Sequence, residues 1–165
     1  MHIDMEKARE FLEKLTSGEE ADEVSRLTFP PHRPLAESSF YECFAGRGVR
    51  LALLQPDFIS CSFKVPPRLL DRDGKLAMGA ITTLVDLLGA AVAYQGQGDD
   101  SWNLSADMSI SNLSTAKLDD ELEIFARCLG RQGGYSGTHI LIRNKATGEI
   151  VAEGRHSLFD AHSKL

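Results

Sequence analysis

The chain has 165 residues and a net charge of -6, from Asp+Glu 24 against Lys+Arg 18. That balance argues against nucleic acid as the main partner, because phosphate binding draws on a basic surface, although a local basic pocket for a phosphorylated ligand stays open. A hydrophobic fraction of 42% and a charged fraction of 25% describe one globular domain, large enough to bury a core without a metal or disulfide staple.

Residues Met5 to Leu15 place Ala8, Phe11, Leu12 and Leu15 at helical spacing among charges, which predicts an amphipathic helix. The acids Asp4, Glu6, Glu10 and Glu13 leave no apolar core for a secretory signal. Ser17-Gly18 ends the helix. A short helix is expected at Glu19 to Leu27, followed by an irregular stretch around Pro30, Pro31 and Pro34. Residues 1–43 thus read as an extension, 44–160 as the folded domain and 161–165 as a tail.

Val49, Leu51 and Leu53 alternate with Arg50 and Ala52. After the turn Gln55-Pro56-Asp57, Ile59, Cys61, Phe63 and Val65 alternate with Phe58, Ser60, Ser62 and Lys64. Period two on both sides of a turn predicts a hairpin with one buried face. Pro66-Pro67 ends it, and Leu69 to Gly74 forms a polar loop. The three cysteines, Cys43, Cys61 and Cys128, have neither CxxC nor Cys/His metal spacing and are expected to be buried, reduced thiols, with no metal bound.

Met78 to Gln95 has the length and period of a helix, with Met78, Ile81, Leu84, Val85, Leu88 and Val92 on one broad apolar face. No apolar run in the chain approaches the ~18 residues that a membrane-crossing helix needs, and no membrane insertion is expected. Further strands follow. Leu104, Ala106, Met108 and Ile110 alternate with serines and Asp107; Leu122, Ile124, Ala126 and Cys128 alternate with charged residues. Tyr135 to Arg143 and Ile150 to Phe159 pair through the turn Asn144 to Gly148. The order of elements predicts an α+β domain: an antiparallel sheet wrapped around one chargeless helix, with edges that invite oligomerisation. The last three residues, Ser163, Lys164 and Leu165, spell a peroxisomal address when terminal, which implies the peroxisome and its import receptor.

Asp86 is the sole charge between Met78 and Tyr94, and helical geometry turns it away from the Ile81, Leu84, Val85 and Leu88 face. A carboxylate among small apolar residues needs a partner. Two readings stand: an Asp bonded to Thr82, Thr83 or a loop amide, or a nucleophile or general base at an apolar pocket. His139 and His156 read as core or solvated strand histidines. Gly130-Arg131-Gln132-Gly133-Gly134 follows a strand and opens no helix, so it reads as a hairpin turn rather than a phosphate loop.

Several segments resemble the PaaI-like hotdog thioesterases: Gly74 to Asp86, Leu104 to Ile110, Leu113 to Lys117, Asn144 to Gly148 and Ala152 to His156. The resemblance spans roughly Val49 to Phe159 in matching order. It implies a hotdog fold, a homodimer or homotetramer with the active site between protomers, and hydrolysis of acyl-CoA thioesters with no cofactor beyond the CoA of the substrate. It implies that Asp86 is the base or nucleophile, that the amides of Met78 and Gly79 polarise the carbonyl, and that Ser105 is the serine of the following strand. It also implies CoA contacts from Asp107, from Asn112, Leu113, Ser114, Thr115, Ala116 and Lys117, and from Gly130, Arg131, Gly133 and Gly134. The chain departs from the pattern in two places. Ala77-Met78-Gly79 replaces the usual His-Gly-Gly, and Asp71 replaces an Asn that holds water. Those departures keep a second reading open, an acyl-CoA-binding protein with weakened catalysis.

Overall fold

The computed structural model describes residues 5–26, 40–95 and 103–160. The chain divides into two compact units, Met1–Phe40 and Tyr41–Leu165. The first contains α1 (Met5–Thr16) and α2 (Glu19–Ser25), which match the expected helices. Gly18 between them has φ 106, which lets the backbone reverse at the expected stop. The prolines at 30, 31 and 34 and the targeting tripeptide lie outside the described residues.

The second unit opens with a helix that the sequence pattern did not announce, α3 (Phe40–Gly46). A hairpin follows, β1 (Arg50–Gln55) and β2 (Phe58–Lys64), then a turn of 3-10 helix at Pro67–Leu69, the long α4 (Met78–Tyr94), and four strands. These are β3 (Asn103–Asn112), β4 (Glu121–Gln132), β5 (Tyr135–Asn144) and β6 (Ile150–Asp160). They form one six-stranded antiparallel sheet in the order β1-β2-β4-β5-β6-β3. Helix α4 lies along one face of it, as expected for an antiparallel sheet around a central helix.

The core sits between helix and sheet. Ile81, Leu84, Val85, Leu88 and Val92 pack on Phe63, Leu122, Ile124, Ile140, Ile142 and Val151. Two glycines set the spacing. A Cβ on Gly154 of β6 would stand 2.6 Å from Val85 Cγ1, and one on Gly89 of α4 would stand 2.6 Å from His156 Nδ1. The helix can lie this close only because those side chains are missing.

Four expectations are corrected. Met78 does not share the buried face: it is 64% exposed at the first position of the helix, before the buried residues begin at Ala80. The apolar residues of β1 are not buried either, since β1 is an edge strand and a bulge between Leu51 and Leu53 breaks its alternation; Leu51, Leu53 and Leu54 are all exposed. Cys43 is exposed on α3, whereas Cys61 and Cys128 are buried. Strand β3 is not a plain alternation: a bulge lies between Ser105 and Asp107, and Leu104 is exposed while Met108 and Ile110 pack on the core.

Candidate active site

The bulge in β3 builds the site. Ser105 pairs with Leu158, and Met108 pairs with His156. Directly opposed residues of an antiparallel pair share a face, and Leu158 and His156 both point into the core. Ser105 and Met108 therefore face the helix together, although strict alternation over three residues would put them on opposite sides. Ala106 is the extra residue, and it re-aims Ser105.

Ser105 Oγ donates a hydrogen bond of 2.8 Å to Asp86 Oδ1. His156 Nε2 stands 3.3 Å from the same oxygen. Two residues, from β3 and β6, thus converge on one carboxylate oxygen of α4, and Oδ2 takes part in neither contact. The Asp86 side chain keeps 43% of its surface exposed, so a small molecule can reach it. Thr82 and Thr83 do not supply its partner: their hydroxyls bond the Met78 and Gly79 carbonyls of their own helix at 3.0 and 2.9 Å. Of the two readings of Asp86, the local bond to a threonine is thereby set aside.

His156 is a residue that sequence reasoning passed over. Its ring is fully buried, and neither nitrogen makes a well-aligned hydrogen bond. Burial pushes its pKa below the ordinary 6.5, against the opposing pull of the Asp86 and Asp107 carboxylates. A neutral imidazole is the form that such a site favours. The signal was present in β6, where Ala152, Gly154, His156 and Leu158 recur at period two on the buried face. What was missing was the register that sets His156 beside Asp86.

Met78 and Gly79 lead α4. Ala77 at the N-cap provides no side-chain acceptor, so the first amides of the helix, which have no carbonyl a turn earlier, keep their donor capacity for a ligand. The space where a Gly79 Cβ would sit is open. Asp71 is committed to a turn: its Oδ1 accepts from the amides of Asp73 at 2.8 Å and Lys75 at 3.0 Å. It does not join the Asp86 cluster.

The residues expected at CoA fall into two groups. Asp107 and Asn112 lie on β3. Leu113 and Ser114 follow, both held by the Val151 carbonyl; the Ser114 hydroxyl is buried without a partner. Thr115 and Lys117 are exposed, while the Ala116 side chain is buried and its carbonyl accepts from Leu76. The second group forms the β4–β5 hairpin, as the turn reading expects, with Gly133 and Gly134 at φ 57 and 82 between Gln132 and Tyr135. Gly130 lies beside a bulge in β4. Arg131 binds Asp57 at 2.6 Å and donates to the Ala93 carbonyl at 3.2 Å, which caps the C-terminal end of α4. Among the described residues, no group of three His, Cys, Asp or Glu side chains could hold a metal ion.

No protein-family model matches the chain. Its sequence is 30% identical to mouse acyl-coenzyme A thioesterase 13 over 109 residues, 66% of this chain and 77% of that protein. The fold matches the crystal structure of mouse thioesterase superfamily member 2 with a TM-score of 0.62 and 28% identity, over 72% of this chain and 90% of the other. It matches the zebrafish thioesterase superfamily member 2 with a TM-score of 0.66 and 24% identity, over 73% and 93%. With a six-stranded sheet along one central helix, and that helix bearing a single carboxylate tied to the next strand, the chain belongs to the hotdog-fold thioesterases that include acyl-coenzyme A thioesterase 13.

Proposed function

We propose that the protein hydrolyses an acyl-CoA thioester to a free acid and CoA, with Asp86 as general base. The observation that carries this reading is the 2.8 Å bond from Ser105 to Asp86, the one carboxylate on α4. Asp86 takes a proton from water as the water oxygen bonds to the thioester carbon. The carbonyl oxygen then carries the negative charge, which the amides of Met78 and Gly79 stabilise by hydrogen bonding. When the C–S bond breaks, the CoA sulfur leaves and takes the proton that Asp86 had accepted, which restores the carboxylate. Ser105 fixes the carboxylate in place, and the buried His156 ring lies beside it.

Geometry supports a site shared by two copies. Met78 and Asp86 lie a little over two turns apart on one helix, about 12 Å along its axis. The reacting contacts each span only ~3 Å. A carbonyl held at Met78 is therefore out of reach of a water held by Asp86 of the same chain. A second copy with its helix antiparallel would bring the two ends together, which favours a dimer or a pair of dimers. A monomer by light scattering that still turned over substrate would contradict this.

The test is release of free thiol from acyl-CoA by the wild type and by Asp86→Asn. The variant keeps the shape and the acceptor for Ser105, so it should fold, while kcat should drop about 10²–10⁴-fold. Turnover at the wild-type rate would sink the assignment of Asp86. A second reading, an acyl-CoA-binding protein with weakened catalysis, is favoured by Ala77, which brings no polar side chain to the helix entry. Binding of acyl-CoA without thiol release would establish it. Where Leu165 ends the protein, Ser163-Lys164-Leu165 supports import into peroxisomes; a reporter with this terminal tripeptide that stayed in the cytosol would contradict it.

A further inference from the structure

Lys75 and Lys117 stand opposite each other in an antiparallel bridge between the segment that leads into α4 and the segment that follows β3. Beside the bridge, the Leu76 amide donates to the Ala116 carbonyl at 2.8 Å. The Leu76 and Ala116 side chains are both buried, so the lysines next to them project together to the outer side. Lys117 is exposed and Lys75 half-buried.

The backbone leaves neither lysine free to move away. The Lys75 amide donates to Asp71 Oδ1 at 3.0 Å, and its carbonyl accepts from the Asp71 amide at 2.7 Å. The Lys117 amide donates to Asp120 Oδ2 at 2.8 Å, and its carbonyl accepts from the Asp120 amide at 3.1 Å. Each neighbouring aspartate thus spends a carboxylate oxygen on an amide. Lys64 and Lys145 each bind a carboxylate at 2.8 Å, on Asp119 and Glu121. Among the described residues, the ammonium groups of Lys75 and Lys117 bind none. Like charges directly opposed across a strand pair are destabilising. An anion between them reverses that sign.

We infer that Lys75 and Lys117 clamp the diphosphate of the CoA substrate, and that Lys75 selects CoA over thioesters that carry no phosphate. The identity of the ligand rests on the thioesterase reading above. Lys117 is among the contacts that the resemblance implies, and Lys75 is not. Met78, whose amide holds the carbonyl in that reading, lies three residues beyond Lys75, and Ala77 between them is extended. Three extended residues span ~10 Å. In CoA the pantetheine arm separates the thioester from the phosphates, and the diphosphate is the first phosphate along it. A carbonyl at Met78 and a diphosphate at Lys75 lay that arm along one segment of chain. Ammonium groups bind phosphate oxygens as point charges, through charge-assisted hydrogen bonds.

The experiment measures the Kd of CoA, dephospho-CoA and pantetheine by calorimetry at low salt, for the wild type, Lys75→Met and Lys75→Arg. Methionine removes the charge and keeps every backbone bond of Lys75, so without ligand this variant should melt no lower than the wild type. Lys75→Met should weaken CoA about tenfold, weaken dephospho-CoA by the same factor, since both carry the diphosphate, and leave pantetheine unchanged. Lys75→Arg keeps a cation and should recover most of the affinity. An unchanged Kd for CoA in Lys75→Met, an equal loss for pantetheine, or no binding of CoA by the wild type would overturn the clamp. A loss confined to CoA would move the contact to the 3′-phosphate and overturn the diphosphate assignment. Binding needs no turnover, so the two readings separate: absence of thiol release with the CoA-specific loss intact would overturn the hydrolase reading and leave the clamp standing.

Discussion

Ser105 Oγ and Asp86 Oδ1 meet at 2.8 Å because strand β3 holds one residue more than its partner β6 between Ser105 and Asp107. A hydrogen bond to a charged group contributes about 1.5–3 kcal/mol, and here part of that orients the carboxylate. Ser105→Ala should therefore lower kcat about tenfold or more. Its melting temperature should shift little, since Ser105 is exposed. A steady-state comparison with the wild type checks this; unchanged kcat would show that Asp86 is oriented by other means.

Asp71 holds its turn through side-chain Oδ1, beside the backbone bonds it exchanges with Lys75 and Gly74. An asparagine offers the same acceptor in the same place and favours the same turn. Asp71→Asn should keep the melting temperature within a degree or two. Asp71→Ala leaves the Asp73 and Lys75 amides without that acceptor and should cost about 1 kcal/mol in urea denaturation. Equal stability of the two variants would mean that the turn does not depend on the bond.

The buried imidazole of His156 makes stability depend on pH. Its folded pKa lies below the ordinary 6.5, so the unfolded chain takes up the proton first. The stabilisation is complete above about pH 6.5 and is lost as the pH falls through the region below it, at a slope of at most ~1.4 kcal/mol per pH unit. His156→Asn should flatten this slope between about pH 6.5 and 5.5. Denaturation curves across that window measure it, and parallel slopes would contradict the assignment.

Gly89 has no room for a methyl group. A Cβ there would stand 2.6 Å from His156 Nδ1 and 3.0 Å from Thr138 Oγ1, and a fully buried ring has nowhere to retreat. Gly89→Ala raises helix propensity by about 1 kcal/mol, yet overpacking a core costs about 1–3 kcal/mol. The variant should be less stable, and slower if the ring shifts away from Asp86. A rise in melting temperature would show that the helix floats free of the sheet.

What could be read in the sequence was local. The length of α4 and its solitary Asp86 follow from period and composition within one segment. The turn at Asn144 to Gly148 follows from a side chain that bonds its own backbone, as Asn144 Oδ1 does with the Ala146 and Thr147 amides. The strand β2 shows its buried face in Ile59, Cys61 and Phe63. What escaped was relational. The bulge at Ala106 is an offset between two strands, invisible in a segment where serines already alternate with apolar residues. The place of His156 beside Asp86 depends on packing a helix over a distant strand. Helix α3 is too short for its period to register, and the exposure of Leu51 and Leu53 depends on β1 being an edge.

Strand β3 is the last strand of the sheet, and beyond it no further strand lies among the described residues. Ser105 hangs from that strand. An edge of this kind invites another strand to pair with it, and whatever settles there is linked by mass action to the alignment of the reacting groups. Were a second copy of the chain to settle there, dilution with no denaturant would loosen the carboxylate's partner, and specific activity would fall with concentration.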